Sequence, residues 1–346
     1  MTVTAVALSG GADSAFAAYL LKKKGPVLGL FALLSQANPE KEIDRVRSIC
    51  DKLDIPLHIV DLREAFQEKI IGYFKEAYRR GLTPNPCVLC NREIKFGLLL
   101  QKALELGAER LATGHYARLV YDEKLGQNLL YKARDQGKDQ SYFLAYLTQE
   151  QLNRAVFPLG EWSKEEVLRR SLRLGLFTLT APESQEVCFI KGDYRQLFAS
   201  EEFPPGEIVT VFGRVVGRHH GLYAYTIGQR RGLRIRLGRP YYVVSLDTEK
   251  NRVIIGPKKY LYAREFLVHR LNWLYPLDFT KPFQAEVRIR YRHKEAPATV
   301  YAFSQDTVKV VFERPQPAIT PGQFAVFYQR DLVLGAGEIG EVSQNF

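Results

Sequence analysis

Along the first half of the chain, unbroken apolar runs alternate with stretches whose apolar residues recur at helical spacing. Val3–Leu8, Val27–Leu34 and Leu57–Leu62 are apolar-rich runs, the mark of strands buried on both faces of a parallel sheet. Glu40–Leu53 places Ile43, Val46, Ile49, Cys50 and Leu53 at helical spacing. Ala15–Lys24, Ala65–Arg80 and Arg92–Leu106 read as further helices, and Leu111-Ala112-Thr113 as another strand. This rhythm predicts an α/β domain with a helix-covered parallel sheet, whose ligands lie beyond the carboxyl ends of the strands.

The pattern changes near residue 200. Phe203-Pro204-Pro205-Gly206 reads as a linker or turn. Beyond it come short β-rich runs at Glu207–Val211, Tyr241–Leu246, Arg252–Ile255, Gln284–Arg290, Ala298–Phe303, Val308–Phe312, Gln323–Tyr328 and Leu332–Leu334. Their spacing suits an all-β barrel. No solenoid repeat and no low-complexity tract is present.

Length and charge sharpen this picture. At 346 residues the chain predicts two or three domains with sizeable cores. No apolar run approaches the roughly 18 residues that span a bilayer. The start of the chain has no basic leader before its apolar stretch, so a cytoplasmic, membrane-free protein is expected. Lys and Arg number 49 against 38 Asp and Glu, a net charge of +11. Residues 201–346 carry 21 basic against 14 acidic residues, and the longer stretch 1–200 carries 28 against 24. Either a polyanion partner or a merely solvated basic surface would produce that asymmetry.

Candidate chemistry sits at the strand ends. Ser9-Gly10-Gly11-Ala12-Asp13-Ser14 follows the first strand and opens the first helix. Glycines allow a phosphate to approach the backbone, and a helix N-terminus offers unpaired N–H groups and a positive dipole end. The stretch lacks the Gly-Lys-Ser/Thr of a Walker loop and the Gly-x-Gly-x-x-Gly of a dinucleotide fold. It resembles the PP-loop of ATP pyrophosphatases. Thr83-Pro84-Asn85-Pro86-Cys87-Val88-Leu89-Cys90-Asn91 carries two prolines and two asparagines and reads as an irregular loop. Cys90 would then precede a helix, whose dipole lowers a thiol pKa. Cys87 and Cys90 could instead join a zinc site, which needs further ligands. In Ala112-Thr113-Gly114-His115-Tyr116-Ala117, His115 is either a ligand contact or a satisfied structural histidine. Lys138-Asp139-Gln140-Ser141 could simply start a helix. Cys188 lies in Glu183-Ser184-Gln185-Glu186-Val187-Cys188-Phe189-Ile190, and Cys50 sits at a core position of a helix.

These segments, with Phe157-Pro158-Leu159-Gly160 and Thr226-Ile227-Gly228-Gln229-Arg230-Arg231-Gly232-Leu233, occur in an order that resembles the tRNA-specific 2-thiouridylases. The resemblance runs from residue 3 to beyond 330. It implies three parts: a PP-loop catalytic domain over 1–200, a small β-rich central domain over 201–262, and a tRNA-contacting β-barrel over 263–346. It also implies ATP-dependent 2-thiolation of the wobble uridine, position 34, of tRNA.

By the same resemblance ATP, with Mg2+, lies along Ala7, Leu8, Ser9, Gly10, Gly11, Ala12, Asp13 and Ser14, near Ala32 and Gly114. Cys90, Cys188 and Asp13 are catalytic, with Cys188 receiving sulfur as a persulfide from a donor protein and pairing with Cys90 afterwards. Asn85, Pro86, Cys87, His115, Lys138, Asp139, Gln140, Arg290, Tyr291 and Gln323 contact tRNA. Many family members have aspartate where this chain has Cys87. Cys87, Cys90 and Cys188 would therefore also suit a [4Fe-4S] cluster. The competing classes are a PP-loop ligase or amidotransferase acting on a small molecule, and a zinc-bearing RNA-binding module.

Overall fold

A computed structural model describes residues 2–176, 187–190, 192–233, 235 and 237–343. The chain divides into two compact units. One comprises residues 1–71, 86–189 and 331–334, the other 72–85, 190–330 and 335–346.

The first unit holds a five-stranded parallel sheet. Its strands are β1 (Thr4–Ala7), β2 (Val27–Leu33), β3 (Leu57–Asp61), β4 (Arg110–Ala112) and β7 (Ala155–Val156), in the order β3-β2-β1-β4-β7. The hairpin β5 (Ala117–Asp122) and β6 (Gln127–Lys132) intervenes in sequence between β4 and β7. The runs of β1 and β2 lie inside the sheet, covered on both faces, but the expectation of a doubly covered strand fails for Leu57–Leu62: β3 is an edge strand, and Ile59 is exposed. Val6, Leu8, Val27 and Phe31 pack with Val46 and Cys50 of the helix Pro39–Leu53. The helix Ala12–Lys22 inserts Phe16 and Ala17 against Tyr116, Leu159 and Val167. Burial of these surfaces stabilises the fold by roughly 25 cal/mol per Å² of apolar area.

The helix after the two-proline stretch starts earlier than its apolar pattern indicates. Pro86 begins it, and helical structure continues without a break from Pro86 to Glu105. Proline is well placed there, because a helix's first N–H has no intrahelical partner to lose. Cys87 and Cys90 therefore lie in the helix itself, not in an irregular loop before it. Over Cys90–Leu99 the helix is π-type, a wider winding that recurs at functional sites.

The second unit contains two β structures. The first has β8 (Gly206–Thr210), β9 (Val215–His219), β10 (Tyr242–Asp247) and β11 (Arg252–Gly256), in the order β10-β11-β8-β9. The second is built from β12 (Tyr262–Trp273), β13 (Phe283–Arg288), β14 (Ala296–Ser304), β15 (Thr307–Pro317), β16 (Phe324–Gln329) and β17 (Leu332–Val342). The order β12-β15-β14-β13-β16-β17, together with β12–β17 pairing, closes the barrel. Closure removes the exposed sheet edges. Strands β9 and β12 are not legible as apolar alternation. The segment Val215–His219 interleaves Gly217 and Arg218, and Tyr262–Trp273 carries Arg264, Glu265, His269 and Arg270. Among the described residues, no helix is long and apolar enough to cross a membrane.

Candidate functional site

The stretch Ser9–Ser14 makes the sharp passage from β1 into the helix Ala12–Lys22. Gly10 takes φ +77°, a left-handed conformation in which a Cβ is costly. The two serines brace the turn: Ser9 N donates to Ser14 Oγ at 3.2 Å, and Ser14 Oγ donates to Gly11 O at 3.1 Å. The Gly11 N-cap position carries no side chain to cap this helix start. Its first N–H groups and positive dipole end thus form a site suited to an anion.

Asp13, in the first turn, is held from two sides. Lys164 Nζ donates to both carboxylate oxygens at 2.7 Å, and Tyr116 Oη donates to Oδ1 at 2.8 Å. Burial and the nearby Asp13 charge both push the Tyr116 phenol upward, so it stays protonated as the donor. Gly114 lies hard against the same turn. A Cβ there would meet Ser14 N at 2.8 Å and the Asp13 carbonyl carbon at 2.9 Å. Ala32 lies near the carboxyl end of β2, and its carbonyl accepts from Gln36 Nε2 at 2.9 Å. Ala7, Leu8, Ala32 and Gly114 therefore all belong to the carboxyl edge of the parallel sheet.

The other motifs of this unit are tied into the same framework. Gln140 N donates to Tyr116 O and Gln140 Oε1 accepts from Tyr116 N, at 2.9 and 3.0 Å. Asp139 is buried, accepting from Ala133 N, Ser141 N and Ser141 Oγ at 3.0, 3.1 and 2.9 Å. Lys138 is exposed. Asn91 Nδ2 donates to Phe143 O at 3.1 Å. His115 shares a 2.7 Å hydrogen bond with Thr113 Oγ1, and burial with the charge of Lys95 holds its pKa well below the ordinary value. His115 is therefore neutral near pH 7.

The thiols have different surroundings. Cys90 is buried among Phe66, Ile70, Ile71 and Ile94, with Phe189 packed against that cluster. Burial pushes the Cys90 thiol up to about 11, against the opposing pull of Lys95. The expectation of a helix-lowered thiol at Cys90 is thus corrected: the residue is inside the helix, and desolvation outweighs the dipole. Cys188 is exposed as a residue, yet its sulfur is desolvated enough for burial to raise its pKa, again opposed by Lys95. Cys90 and Cys188 fall within electrostatic range of each other. Residues 183–186 of the Cys188 motif lie outside the described residues. Cys50 is a core residue, its thiol raised to about 11.

Pro86 is buried and Cys87 half-buried. Among the described residues, no three His, Cys, Asp or Glu side chains are grouped so as to hold a metal ion. The ligand set expected from Cys87, Cys90 and Cys188 for a [4Fe-4S] cluster is not assembled among them, and neither is a zinc site.

In the second unit, Gln323 Nε2 donates to Thr83 O and Pro84 O at 2.8 and 3.3 Å, which fixes the backbone just before the half-buried Asn85. The Arg290 guanidinium donates to Ile227 O at 3.1 Å and to Thr320 Oγ1. It joins the Thr226–Leu233 segment to the barrel. The Arg288 guanidinium lies 5.4 Å from the centre of the half-buried Tyr291 ring.

Two residues of the site have no motif to announce them. Lys164 follows Ser163, whose capping box with Glu166 is a legible helix start; its partner Asp13 is not legible. Lys95 stands five residues after Cys90, on another face of an α-helix but nearly above it in a π-helix.

A parallel α/β sheet whose first strand runs through Ser-Gly-Gly-x-Asp-Ser into a helix start defines a PP-loop domain, followed here by two β structures. Comparisons agree. Residues 1–192 match the tRNA methyl transferase HUP domain, 197–257 the tRNA methyl transferase PRC-barrel domain, and 263–339 the aminomethyltransferase beta-barrel domain. The tRNA-specific 2-thiouridylase of Syntrophotalea carbinolica is 47% identical over 347 residues, covering 96% of this chain and 97% of that protein. Its counterpart in Moorella thermoacetica is 45% identical over 355 residues, covering 98% and 99%. That of Carboxydothermus hydrogenoformans is 44% identical over 351 residues, covering 96% of each. The chain belongs to the tRNA-specific 2-thiouridylase family.

Proposed function

We propose that this chain is a tRNA-uridine 2-sulfurtransferase, which uses ATP to replace O2 of the wobble uridine, position 34, with sulfur. Near-full-length relationship to proteins named tRNA-specific 2-thiouridylase carries the reading, and the uncapped helix start at Gly10–Ser14 supports it. The phosphates of ATP lie against the amides of that turn, with the adenosine near Ala32 and Gly114. A Mg2+ ion accompanies the nucleotide with phosphate oxygens as its main ligands, because Asp13 is already engaged by Lys164 and Tyr116.

Uridine O2 is a poor leaving group. Its attack on the α-phosphate expels pyrophosphate and leaves an adenylated, electrophilic C2. The terminal sulfur of a Cys188 persulfide attacks C2, and AMP departs with the former O2. Cys90 sulfur then attacks the Cys188 sulfur, breaks the S–S bond, and leaves sulfur on C2 with a Cys90–Cys188 disulfide. The difficult substitution is thereby divided into easier steps. The target base leaves its stack to reach the thiols. Asn85, Pro86, Cys87, His115, Lys138, Asp139, Gln140, Arg290, Tyr291 and Gln323 shape the tRNA surface. The bonds made by Asp139, Gln140, Arg290 and Gln323 favour positioning over direct base contact for those four. A dithiol reductant then reduces the Cys90–Cys188 disulfide to two thiols and is itself oxidised to a disulfide. A persulfide-carrying donor protein passes its terminal sulfur to the freed Cys188 thiolate, and the reaction belongs in the cytoplasm, with tRNA.

The test is reconstitution. Protein, ATP, a tRNA transcript with uridine at position 34 and a persulfide donor are incubated, and the digested tRNA is examined by mass spectrometry. ATP-dependent 2-thiouridine supports the reading; its absence, with donor and tRNA intact, refutes it.

A further inference from the structure

Phe212 is the most exposed large apolar side chain among the described residues, at 66%. It sits at the turn between β8 and β9, and that turn is rigid. Thr210 Oγ1 accepts from Phe212 N and Arg214 N at 3.3 and 3.2 Å. Gly213 N donates to Thr210 O, Thr210 N to Arg214 O, and Val211 N to Ile255 O, at 2.8, 2.8 and 2.9 Å. Gly213 supplies the φ of +81° that the turn needs. The Phe212 ring stands edge-on to Tyr260, with centroids 6.0 Å apart at 87°. Tyr260 is packed against the buried cluster of Ile227, Val244 and Leu261. The ring is thus held out from the surface by a fully bonded backbone and an anchored neighbour.

Its surroundings are cationic. Arg214, Lys258 and Lys259 are exposed, and none has an ion-pair partner among the described residues, whereas Arg218 lies at the far end of β9, opposite Glu207. Lys259 Nζ lies 5.0 Å from the centre of the Tyr260 ring. No Asp or Glu occurs between residues 208 and 246, nor between 250 and 264. So one-sided a rim selects a polyanionic partner. Single-stranded nucleic acid matches both features, because bases stack on an aromatic ring while phosphates follow the cations.

We propose that the Phe212 turn is an RNA-contact site: Phe212 stacks on an unpaired base, and Arg214, Lys258 and Lys259 engage the adjoining phosphates. The proposal rests on the reading that tRNA is the substrate, and adds a contact in the β8–β11 structure. Fixed presentation of the ring lowers the entropy lost on binding.

The experiment measures affinity for an unmodified tRNA transcript across a salt series, with ATP affinity as a check on folding. Phe212→Ala is expected to weaken tRNA binding roughly fivefold to a hundredfold without changing the salt slope, while Phe212→Tyr binds as the parent does. Lys258→Ala with Lys259→Ala is expected to flatten the slope of log affinity against log salt by about 1.4 to 1.8. Parental tRNA affinity and salt slope in Phe212→Ala would overturn the proposal. So would a Phe212→Ala protein that binds tRNA normally but accepts sulfur slowly from a persulfide-carrying protein, which marks a protein contact. A parent that binds no tRNA overturns this proposal and the substrate reading together. A parent that thiolates tRNA, with Phe212→Ala binding it equally well, overturns this proposal alone.

Discussion

Lys164 Nζ donates to both carboxylate oxygens of Asp13 at 2.7 Å, joining residues 151 positions apart in sequence. The pair settles an electrostatic conflict. Asp13 suits a helix N-terminus, yet its charge would repel phosphates brought to the same turn. Lys164 neutralises it. Loss of that cation in Lys164→Met is expected to lower stability by about 1–2 kcal/mol, between the effects typical of exposed and buried pairs. It should weaken ATP binding more than adenosine binding, since adenosine carries no phosphate. Denaturant titration and calorimetry with both ligands check this, and Lys164→Arg should restore most of the loss.

Gly114→Ala should reduce ATP affinity while the protein remains folded. The added methyl meets the backbone at Ser14 N and Asp13 C, at 2.8 and 2.9 Å, so the helix start must move. Gly10→Val should act more strongly, because a β-branched residue at φ +77° is strained as well. Pyrophosphate release in the presence of tRNA is the measurement. Undiminished release by both variants would remove this turn from the nucleotide site.

Cys188→Ser should abolish 2-thiouridine formation and leave tRNA affinity nearly intact, as read by mass spectrometry and filter binding. Cys50→Ser should keep activity, because Cys50 is a core residue. The thiols also predict a pH dependence. Cys50 and Cys90 hold their protons in the folded protein up to about 11, against an ordinary value of 9.0. Above pH about 9 these thiols ionise in the unfolded chain but not in the folded one, and that difference favours unfolding. Their contribution to stability is therefore present in full below pH about 9 and is lost as pH climbs toward 11. Alkylation of Cys90 in the ligand-free protein should accelerate over the same window, since the thiolate is the nucleophile. An alkylation rate already at its plateau by pH 8 would contradict the buried environment of Cys90.

Arg290→Ala should cost stability, about 1–3 kcal/mol, because it removes a charged donor from Ile227 O and Thr320 Oγ1. Arg230→Ala and Arg231→Ala should instead flatten the salt dependence of tRNA binding, by nearly one unit for each duplex phosphate deprived of its arginine. Equal salt slopes for parent and both variants would reduce this region to a solvated face. Arg234 and Arg236, which share the same basic stretch, lie outside the described residues.

Cys87→Asp should retain most thiolation activity, since the persulfide route needs Cys90 and Cys188 alone. Parent, Cys87→Asp and Cys87→Ser are to be prepared and assayed without oxygen, with iron counted per chain. Parental activity that tracks iron, with both variants inactive, would contradict the persulfide route.

Residue pattern was enough to dictate the order of layers and the identity of the motifs. Val3–Leu8 and Val27–Leu34 read as strands covered on both faces and are so, and Ser-Gly-Gly-x-Asp-Ser between a strand and a helix carries its own backbone chemistry. These are local properties, fixed by side-chain pattern and by glycine. Whatever joins distant segments came from packing instead. Proline spacing suggested a loop at Cys87 and Cys90, but burial of Val88 and Ile94 made it helix, and desolvation then raised the Cys90 thiol that local reasoning would lower. The π winding of Cys90–Leu99, and with it the electrostatic reach of Lys95 to Cys90, has no local signature in the chain. Asp139, Gln140, Arg290 and Gln323 stand among the tRNA contacts by family resemblance alone. In the fold Gln140 bonds to Tyr116, Arg290 to Ile227 and Thr320, and Gln323 to Thr83 and Pro84, partners distant in sequence and therefore invisible to any reading of the residues one neighbourhood at a time.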